Sequence, residues 1–365
     1  MSAPSTASGT CISRPPLTRA AIEGWLREDD PQALARLWAR ADRVRRERVG
    51  DAVHLRGLVE VSNHCVRQCH YCGIRAGNAA LTRYRLDQGQ VLQCAREAAG
   101  LGYGTVVLQA GEDPALTTQW VLDVVLRIKA ETGLAVTLSL GERGLDELAL
   151  WKRAGADRYL LRFETSNPAL FARVHPARPG QACDRPALLR RLKAMGYEVG
   201  SGILVGLPGQ AYQDLLNDLL LFRELGLDMV GVGPFIPHPQ TPLWEQALDG
   251  GPDQVPNTEL MTYKVVALTR LLRPSANIPS TTALATLNLA QGRELGLQRG
   301  ANILMPNVTP PEYRALYEIY PAKACIRETA VQCHGCLQGR LAALGRGVGQ
   351  GMGSAPSFME KALAY

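Results

Sequence analysis

GLVEVSNHCVRQCHYCGIRAGN, residues 57–78, carries a short β-branched run straight into a loop with three cysteines. The run Gly57–Val61 is too short for a helix and rich in valine, which predicts a strand. Outward from it the pattern repeats at Thr105–Gln109, Ala135–Leu140, Arg158–Phe163, Glu198–Leu204, Met229–Gly233, Asn277–Thr281 and Asn302–Met305. Helical stretches alternate with these runs at Gln90–Ala99, Thr118–Ala130, Leu145–Lys152, Asp184–Met195, Asp214–Leu225 and Glu259–Leu272. Gly102, Gly133, Gly155, Gly196 and Gly226 stand where helices would end. Eight strands alternating with helices predict an α/β fold, a parallel (β/α)8 TIM barrel, with a doubly wound open sheet as the alternative.

Residues 1–50 read as an N-terminal helical extension, with helices in Leu17–Val49; 51–310 read as the barrel. Residues 311–365 form a C-terminal extension whose glycine-rich end, Gly345–Gly353, is expected to be loose. The 365 residues are 46% hydrophobic and 20% charged, the balance of a globular protein with a sizeable core. The net charge of +6 owes much to Arg43, Arg45, Arg46 and Arg48 at helical spacing. That run reads as a solvated helix face, and few aromatics interleave with it, so no nucleic-acid partner is expected. No stretch approaches the roughly 20 apolar residues of a membrane span, so no membrane association is expected. Met1–Pro16 lacks the apolar core of a signal peptide, so the expected location is cytoplasmic. Of nine cysteines, six fall into two tight groups, which in a reducing compartment suggests metal rather than disulfides. Cys11, Cys94 and Cys183 stand apart, and Cys94 is expected in a helix core.

Cys65, Cys69 and Cys72 have the spacing C-x3-C-x2-C, with Tyr71 before the last. Three thiolates can hold one corner of a four-iron cubane and leave the fourth iron open to a chelating small molecule. Zinc closed by His64 or His70 is the alternative. The loop would leave the C-terminal end of a barrel strand, where barrel active sites form. Alternation along the fourth run puts Arg158, Leu160, Arg162 and Glu164 on one face, and Tyr159, Leu161 and Phe163 on the other. The first face aims charge into the barrel, where Gln109, Thr137, Ser139, Thr281, Thr282 and Met305 would join it. A polar, cationic lumen suits an anionic or zwitterionic small molecule.

The cysteine spacing, with its aromatic, resembles the radical S-adenosylmethionine (SAM) superfamily. Ala110-Gly111-Glu112 resembles that family's Gly-Gly-Glu turn, and Gly202–Gly206 its G-x-I-x-G. The resemblance implies that the open iron of a [4Fe-4S] cluster chelates SAM. One electron then breaks the sulfonium C–S bond to give methionine and a 5′-deoxyadenosyl radical.

The stretches VLQAGEDP, VTLSLGE, GADRYLLRFETSNP, VGLPGQ, DMVGVGPFIPHPQTPL, IPSTTA and GANILMPNVTPPEYRALYEIYP are similar to the HydE family of FeFe-hydrogenase maturases, from about Leu17 to Cys336. That similarity implies SAM contacts at Glu112, Arg162, Glu164, Arg185, Met305 and Tyr317. It implies a deeper substrate cavity lined by Gln109, Thr137, Arg158, Thr281 and Tyr320. It also implies a small sulfur-containing or iron–cysteine substrate for H-cluster assembly, an electron-donor protein, and exchange with a second radical SAM maturase and a GTPase scaffold. Phe163 departs from an expected His but should face away from the lumen, and Ala110 replaces a small hydroxyl residue beside the SAM site. Cys325, Cys333 and Cys336 (C-x7-C-x2-C) match an auxiliary iron–sulfur site that some members have; zinc with His334 and free thiols are the other readings. A radical SAM enzyme of another kind, such as methylornithine synthase or biotin synthase, and a non-catalytic iron–sulfur scaffold are the competing functions.

Overall fold

The run beginning at Gly57 lengthens at both ends into strand β1 (His54–Ser62) in a computed structural model that describes residues 17–180, 183–244, 246 and 251–362. Met1–Pro16 and Cys11 lie outside the described residues. The other strands are β2 (Thr105–Ala110), β3 (Ala135–Ser139), β4 (Ala156–Leu160), β5 (Glu198–Val205), β6 (Met229–Pro234) and β7 (Ile303–Leu304). All pair in parallel in the order β6-β5-β4-β3-β2-β1-β7. The sheet curls with helices outside it, as predicted for a (β/α) barrel.

The expected strand at Asn277–Thr281 differs. It makes single bridges, Asn277 to Met229 on β6 and Pro279 to Ile303 on β7. Pro279 has no N–H to donate, so a continuous ladder cannot form there. Among the described residues seven strands are laddered, and the eighth position closes the ring by isolated bridges.

The N-terminal helices, Arg19–Arg27 and Pro31–Val49, start at the caps Thr18 and Asp30, each side chain accepting from a first-turn N–H. Arg43, Arg46 and Arg48 are exposed as expected, but Arg45 is buried. It ties Asp42 at 2.8 Å, Asp51 at 3.0 Å and the Gly50 carbonyl at 2.6 Å. Cys94 lies in the core, as its helix position implied. Phe163 packs outward on Phe222, with ring centroids 5.6 Å apart.

The glycine-rich end is not loose. It threads under the N-terminal ends of the strands and stoppers the barrel. Val53 is bonded on both sides at its entry, its N–H donating to Gly347 O and its carbonyl accepting from Gly349 N, both 2.9 Å. The glycines serve close approach rather than freedom: a Cβ on Gly104 would lie 1.7 Å from the Gly351 carbonyl oxygen, and one on Gly353 2.6 Å from the His54 ring.

This stopper also corrects the placement of Arg158. Instead of lining a substrate cavity, its fully buried guanidinium lies in the floor, with Nε 2.6 Å from Glu198 Oε2. It also donates to Thr105 Oγ1 at 2.9 Å, Met352 O at 3.0 Å and Ser354 Oγ at 2.9 Å. Strand parity gave the correct face but could not show that the C-terminal chain returns to fill this end.

Breaking a buried pair is expensive because it leaves an uncompensated charge. Glu198→Ala is expected to cost about 3–5 kcal/mol in denaturant unfolding, and a joint Arg158→Met, Glu198→Leu replacement to recover most of that. A loss below about 1 kcal/mol for the single change, within the range of an exposed pair, would contradict the structural role.

Candidate active site

Between the cysteine loop and the floor lies a cavity of about 360 Å³, lined by Cys65, Cys69 and Cys72 at its upper end and by Arg56, Met229 and Asn277 at its lower end. The loop is shaped by backbone contacts. Arg83 donates to the carbonyls of Asn63 (2.6 Å), Ile74 (2.8 Å), Arg75 (2.7 Å) and Asn78 (3.2 Å), spanning the whole turn. Gly111 is required where the loop presses on the end of β2: a Cβ there would sit 2.3 Å from His64 O and 2.7 Å from Cys65 Cβ.

Burial pushes all three thiols up, Cys72 to about 12, so without a cation beside them they stay protonated. A bound metal reverses that balance by favouring thiolate. No three ligand atoms among Cys65, Cys69, Cys72 and His175 lie within 4.8 Å of one another, whereas the ligand atoms of a tetrahedral zinc stand about 4 Å apart. His64 and His70 do not line the cavity. The donor set fits a multi-iron cluster better than a single zinc ion.

Beside the loop, charged side chains from four successive β-to-α connections interlock. Arg67 Nε donates to Glu112 Oε2, and Arg67 Nη2 reaches Glu142 Oε2 at 3.0 Å. Arg185, at the start of the helix Arg185–Ala194, gives Nε to Glu142 Oε1 (2.9 Å), Nη1 to Arg162 O (2.6 Å) and Nη2 to His175 Nε2 (2.8 Å). Cys183, expected to be isolated, donates to Glu142 Oε1 at 2.9 Å. Burial would raise the Glu142 carboxyl, but Arg185, the Cys183 and Arg185 hydrogen bonds, and Arg67 outweigh it and hold the group below its ordinary value. Burial, with Arg185 and Arg67 beside it, lowers His175 to about 2, so the ring is neutral.

Arg162 clasps Glu164 through Nε and Nη2, each 3.0 Å from a carboxylate oxygen. Glu164 has φ of +63°, a left-handed conformation that a non-glycine residue adopts at a cost of order 1 kcal/mol or more. The strain persists because Glu164 bridges Ile203 of β5 on both sides: its N–H donates to Gly202 O and its carbonyl accepts from Leu204 N.

Of the residues expected at the site, Cys65, Cys69, Cys72, Glu112, Arg162, Glu164, Arg185, Met305, Tyr317, Gln109, Thr137, Thr281 and Tyr320 all line this one cavity. Arg158 does not. Four neighbours escaped the sequence reading: Arg56, Arg67, Glu142 and His175. Arg67 lies inside the cysteine motif and Arg56 is a lone cation in an apolar strand, so each left a signal; Glu142 and His175 left none separable from loop chemistry. Arg56 is buried, and burial with the nearby Arg158 pulls it down to about 9. Its Nε has no partner, and neither do Thr137 Oγ1 and Thr281 Oγ1.

Cys325, Cys333 and Cys336 lie away from the cavity, half-buried, buried and exposed. Their sulfurs also do not all come within 4.8 Å of one another. Cys333 and Arg293, whose Nη1 lies 3.4 Å from Cys325 Sγ, draw the Cys325 thiol below its ordinary value.

A barrel with three unpaired thiols at the C-terminal end of its first strand, over a polar chamber, defines a cluster-dependent enzyme class. The Radical SAM superfamily profile matches residues 59–222. The [FeFe] hydrogenase maturase subunit HydE of Thermotoga maritima is 44% identical over 349 residues, 96% of this chain and 97% of that protein. A 3-methylornithine synthase of Methanosarcina barkeri is 30% identical over 290 residues, 78% and 77% of the two chains. The solved structure of methylornithine synthase (PylB) superposes with a TM-score of 0.78 at 26% identity, covering 96% of this chain and 97% of that one. The chain belongs to the radical SAM superfamily and, within it, to the family of the HydE maturase. It is therefore a radical SAM enzyme, whose family uses a [4Fe-4S] cluster and SAM. Among the described residues no helix is long and apolar enough to cross a membrane.

Because Glu142 is held below its ordinary value, its ion pairs stabilise the fold above the unfolded carboxyl pKa of about 4.3 and lose that contribution as pH falls through the lower folded value. Glu142→Gln should melt below the parent at neutral pH, and the gap should narrow on acidification. A gap that widens toward acid pH in thermal melts would reverse the assignment.

Proposed function

We propose that this enzyme cleaves SAM reductively beneath the Cys65–Cys69–Cys72 loop and turns the resulting radical on a small sulfur-containing or iron–cysteine substrate during FeFe-hydrogenase H-cluster assembly. The observation that carries this reading is the chamber below the thiols, in which Arg56 Nε, Thr137 Oγ1 and Thr281 Oγ1 are buried without partners. Such groups are costly unless a ligand satisfies them. When bound, a [4Fe-4S] cluster would anchor the amino and carboxylate groups of SAM and supply the electron that breaks its sulfonium bond.

The protein's own residues then bind and orient. Glu112, kept in place by Arg67, would accept from the SAM amino group. Glu164, held in its left-handed turn by Arg162, offers carboxylate oxygens to ribose hydroxyls. Met305 and Tyr317 pack against the cofactor, while Arg185 acts by fixing the Arg162 backbone. Deeper in the chamber Gln109, Thr137, Thr281 and Tyr320 would contact substrate, and Arg56 takes the cationic role first assigned to Arg158. Gln109 is already oriented by the Tyr317 hydroxyl, 3.4 Å from its amide nitrogen.

The reading extends to cytoplasmic partners: an electron-donor protein, a second radical SAM maturase that supplies the substrate, and a GTPase scaffold that receives the product. An auxiliary iron–sulfur cluster at Cys325, Cys333 and Cys336 is part of it, favoured by the lowered Cys325 thiol. A methylornithine synthase-like mutase is the second reading, favoured by the 30% identity to that enzyme and by a cationic floor that would suit an amino-acid carboxylate.

Two measurements separate these. Anaerobically reconstituted enzyme with SAM and dithionite should release 5′-deoxyadenosine and methionine, with Cys65→Ala at background; equal product from both would sink the radical reading. With the partner maturases present the parent should activate apo-hydrogenase, whereas turnover of an amino acid in their absence would favour the mutase. Arg56→Gln should lower substrate turnover about tenfold or more, the size of one charge-assisted hydrogen bond, while SAM cleavage without substrate stays within about twofold. Equal loss of both would move Arg56 to the SAM site.

A further inference from the structure

We propose that His175 donates a hydrogen bond from Nδ1 to the Cys69 sulfur and thereby sets the reduction potential of the cluster this loop would hold. The proposal rests on the reading of Cys65, Cys69 and Cys72 as an iron–sulfur site. His175 ends the short helix Pro168–Val174, its N–H donating to Phe171 O at 2.8 Å. Its ring is 2% exposed, stacked on Phe171 at 4.9 Å between centroids and facing Tyr71 at 6.4 Å.

The two ring nitrogens face different partners. Nε2 lies 2.8 Å from Arg185 Nη2, and Nδ1 lies 3.0 Å from Cys69 Sγ. A guanidinium has donors and no acceptor, so Nε2 must accept. The one hydrogen of the neutral ring then sits on Nδ1. A metal-bound thiolate can only accept, and Nδ1–H is the donor pointed at it. Tyr71 Oη, 3.3 Å from the same nitrogen, offers the ring a second, longer contact.

Arg185 does not leave this position easily, since Glu142 Oε1 and the Arg162 carbonyl hold its other nitrogens. Glu142 Oε1 is itself 4.0 Å from His175 Nε2 and spends its lone pairs on Arg185 and Cys183. The chain of contacts Glu142–Arg185–His175–Cys69 therefore fixes the tautomer and polarises the ring toward the sulfur. Reduction adds negative charge to the thiolates, and a donor to one of them stabilises the reduced form. His175 is a positioning and tuning residue that works through Cys69 without touching substrate.

The test is an EPR-monitored redox titration of the reconstituted protein without SAM, with iron counted per chain. His175→Phe keeps a ring in place without the donor. It is expected to hold the parent's iron while its reduction equilibrium shifts at least tenfold toward the oxidised form, a potential 59 mV more negative for one electron. His175→Gln, whose amide can reach the sulfur, should recover most of the shift. Normal iron with an equilibrium within twofold of the parent overturns the proposal, as does a Gln variant no better than Phe. Should His175→Phe lose its iron, parent protein labelled with 15N-histidine decides by pulsed EPR of the reduced state. A weak nitrogen coupling passed through the thiolate is expected; no coupling, or the strong coupling of a directly bound nitrogen, overturns it. A parent that binds no iron at all overturns the cluster reading itself, and the hydrogen bond with it.

Discussion

Charge pairing between loops holds this site together. Arg67 comes from the connection after β1, Glu112 from that after β2, Glu142 from that after β3, and Arg185 from the long connection after β4, so one network of two guanidiniums and two carboxylates ties four loops. Such groups are buried at a desolvation cost that pairing offsets only when the geometry is good and every partner is present. The network thus acts as a unit. It sets the position of Glu112 beside the cysteine loop, the path of the Arg162 backbone and the tautomer of His175. Hydrophobic packing of helices on strands builds the barrel, but packing alone would leave these loops free to choose other conformations.

The two ends of the chamber treat charge in opposite ways. At the floor Arg158 is fully buried and saturated, with Glu198, two hydroxyls and a backbone carbonyl around it. Arg56, on β1, has Met229 Sδ and one carbonyl as its partners and an idle Nε. Two arginines in the same layer, equally hidden, therefore differ in kind. Arg158, with its donors satisfied, belongs to the architecture, whereas Arg56 carries a donor left over at the wall of the chamber.

The barrel and the lining residues on its strands were legible from local rules, whereas Glu112, Arg185, Tyr317 and Tyr320 were legible only through the resemblance to a known family. Strand parity assigned Arg162 and Glu164 inward and Phe163 outward, and each lies so. The cysteine spacing announced its own chemistry. What was not legible depends on chain returning from far away. Arg158 reads as a lumen residue until Met352 and Ser354, almost 200 positions later, are placed against it. Arg45 reads as one of four surface arginines until Gly50 and Asp51 fold back on it. The glycine-rich end reads as a loose tail because glycine signals freedom and close approach with the same letter; its packing against Gly104 and His54 decides between them. The missing ladder at Asn277–Thr281 had a local sign, Pro279, which the strand count overrode.

The C-terminal extension reads in sequence as an appendage, and its contacts make it part of the chamber. Tyr317, Ile319 and Tyr320 line the cavity wall, and Ile319 O accepts from Gly73 N in the cysteine loop at 3.0 Å. Lys323 anchors this strap from beneath, 2.7 Å from the buried Glu60 of β1 and 3.0 Å from the Tyr317 carbonyl. Some thirty residues later the same extension forms the stopper at the floor. The eighth position of the ring is filled by Asn277–Thr281, whose Asn277, Ile278 and Ser280 are buried, which leaves the base to be covered. The stopper covers that base and the strap lies against the cysteine loop, so the chamber's floor and part of its wall exist only when residues 311–362 are folded onto the barrel.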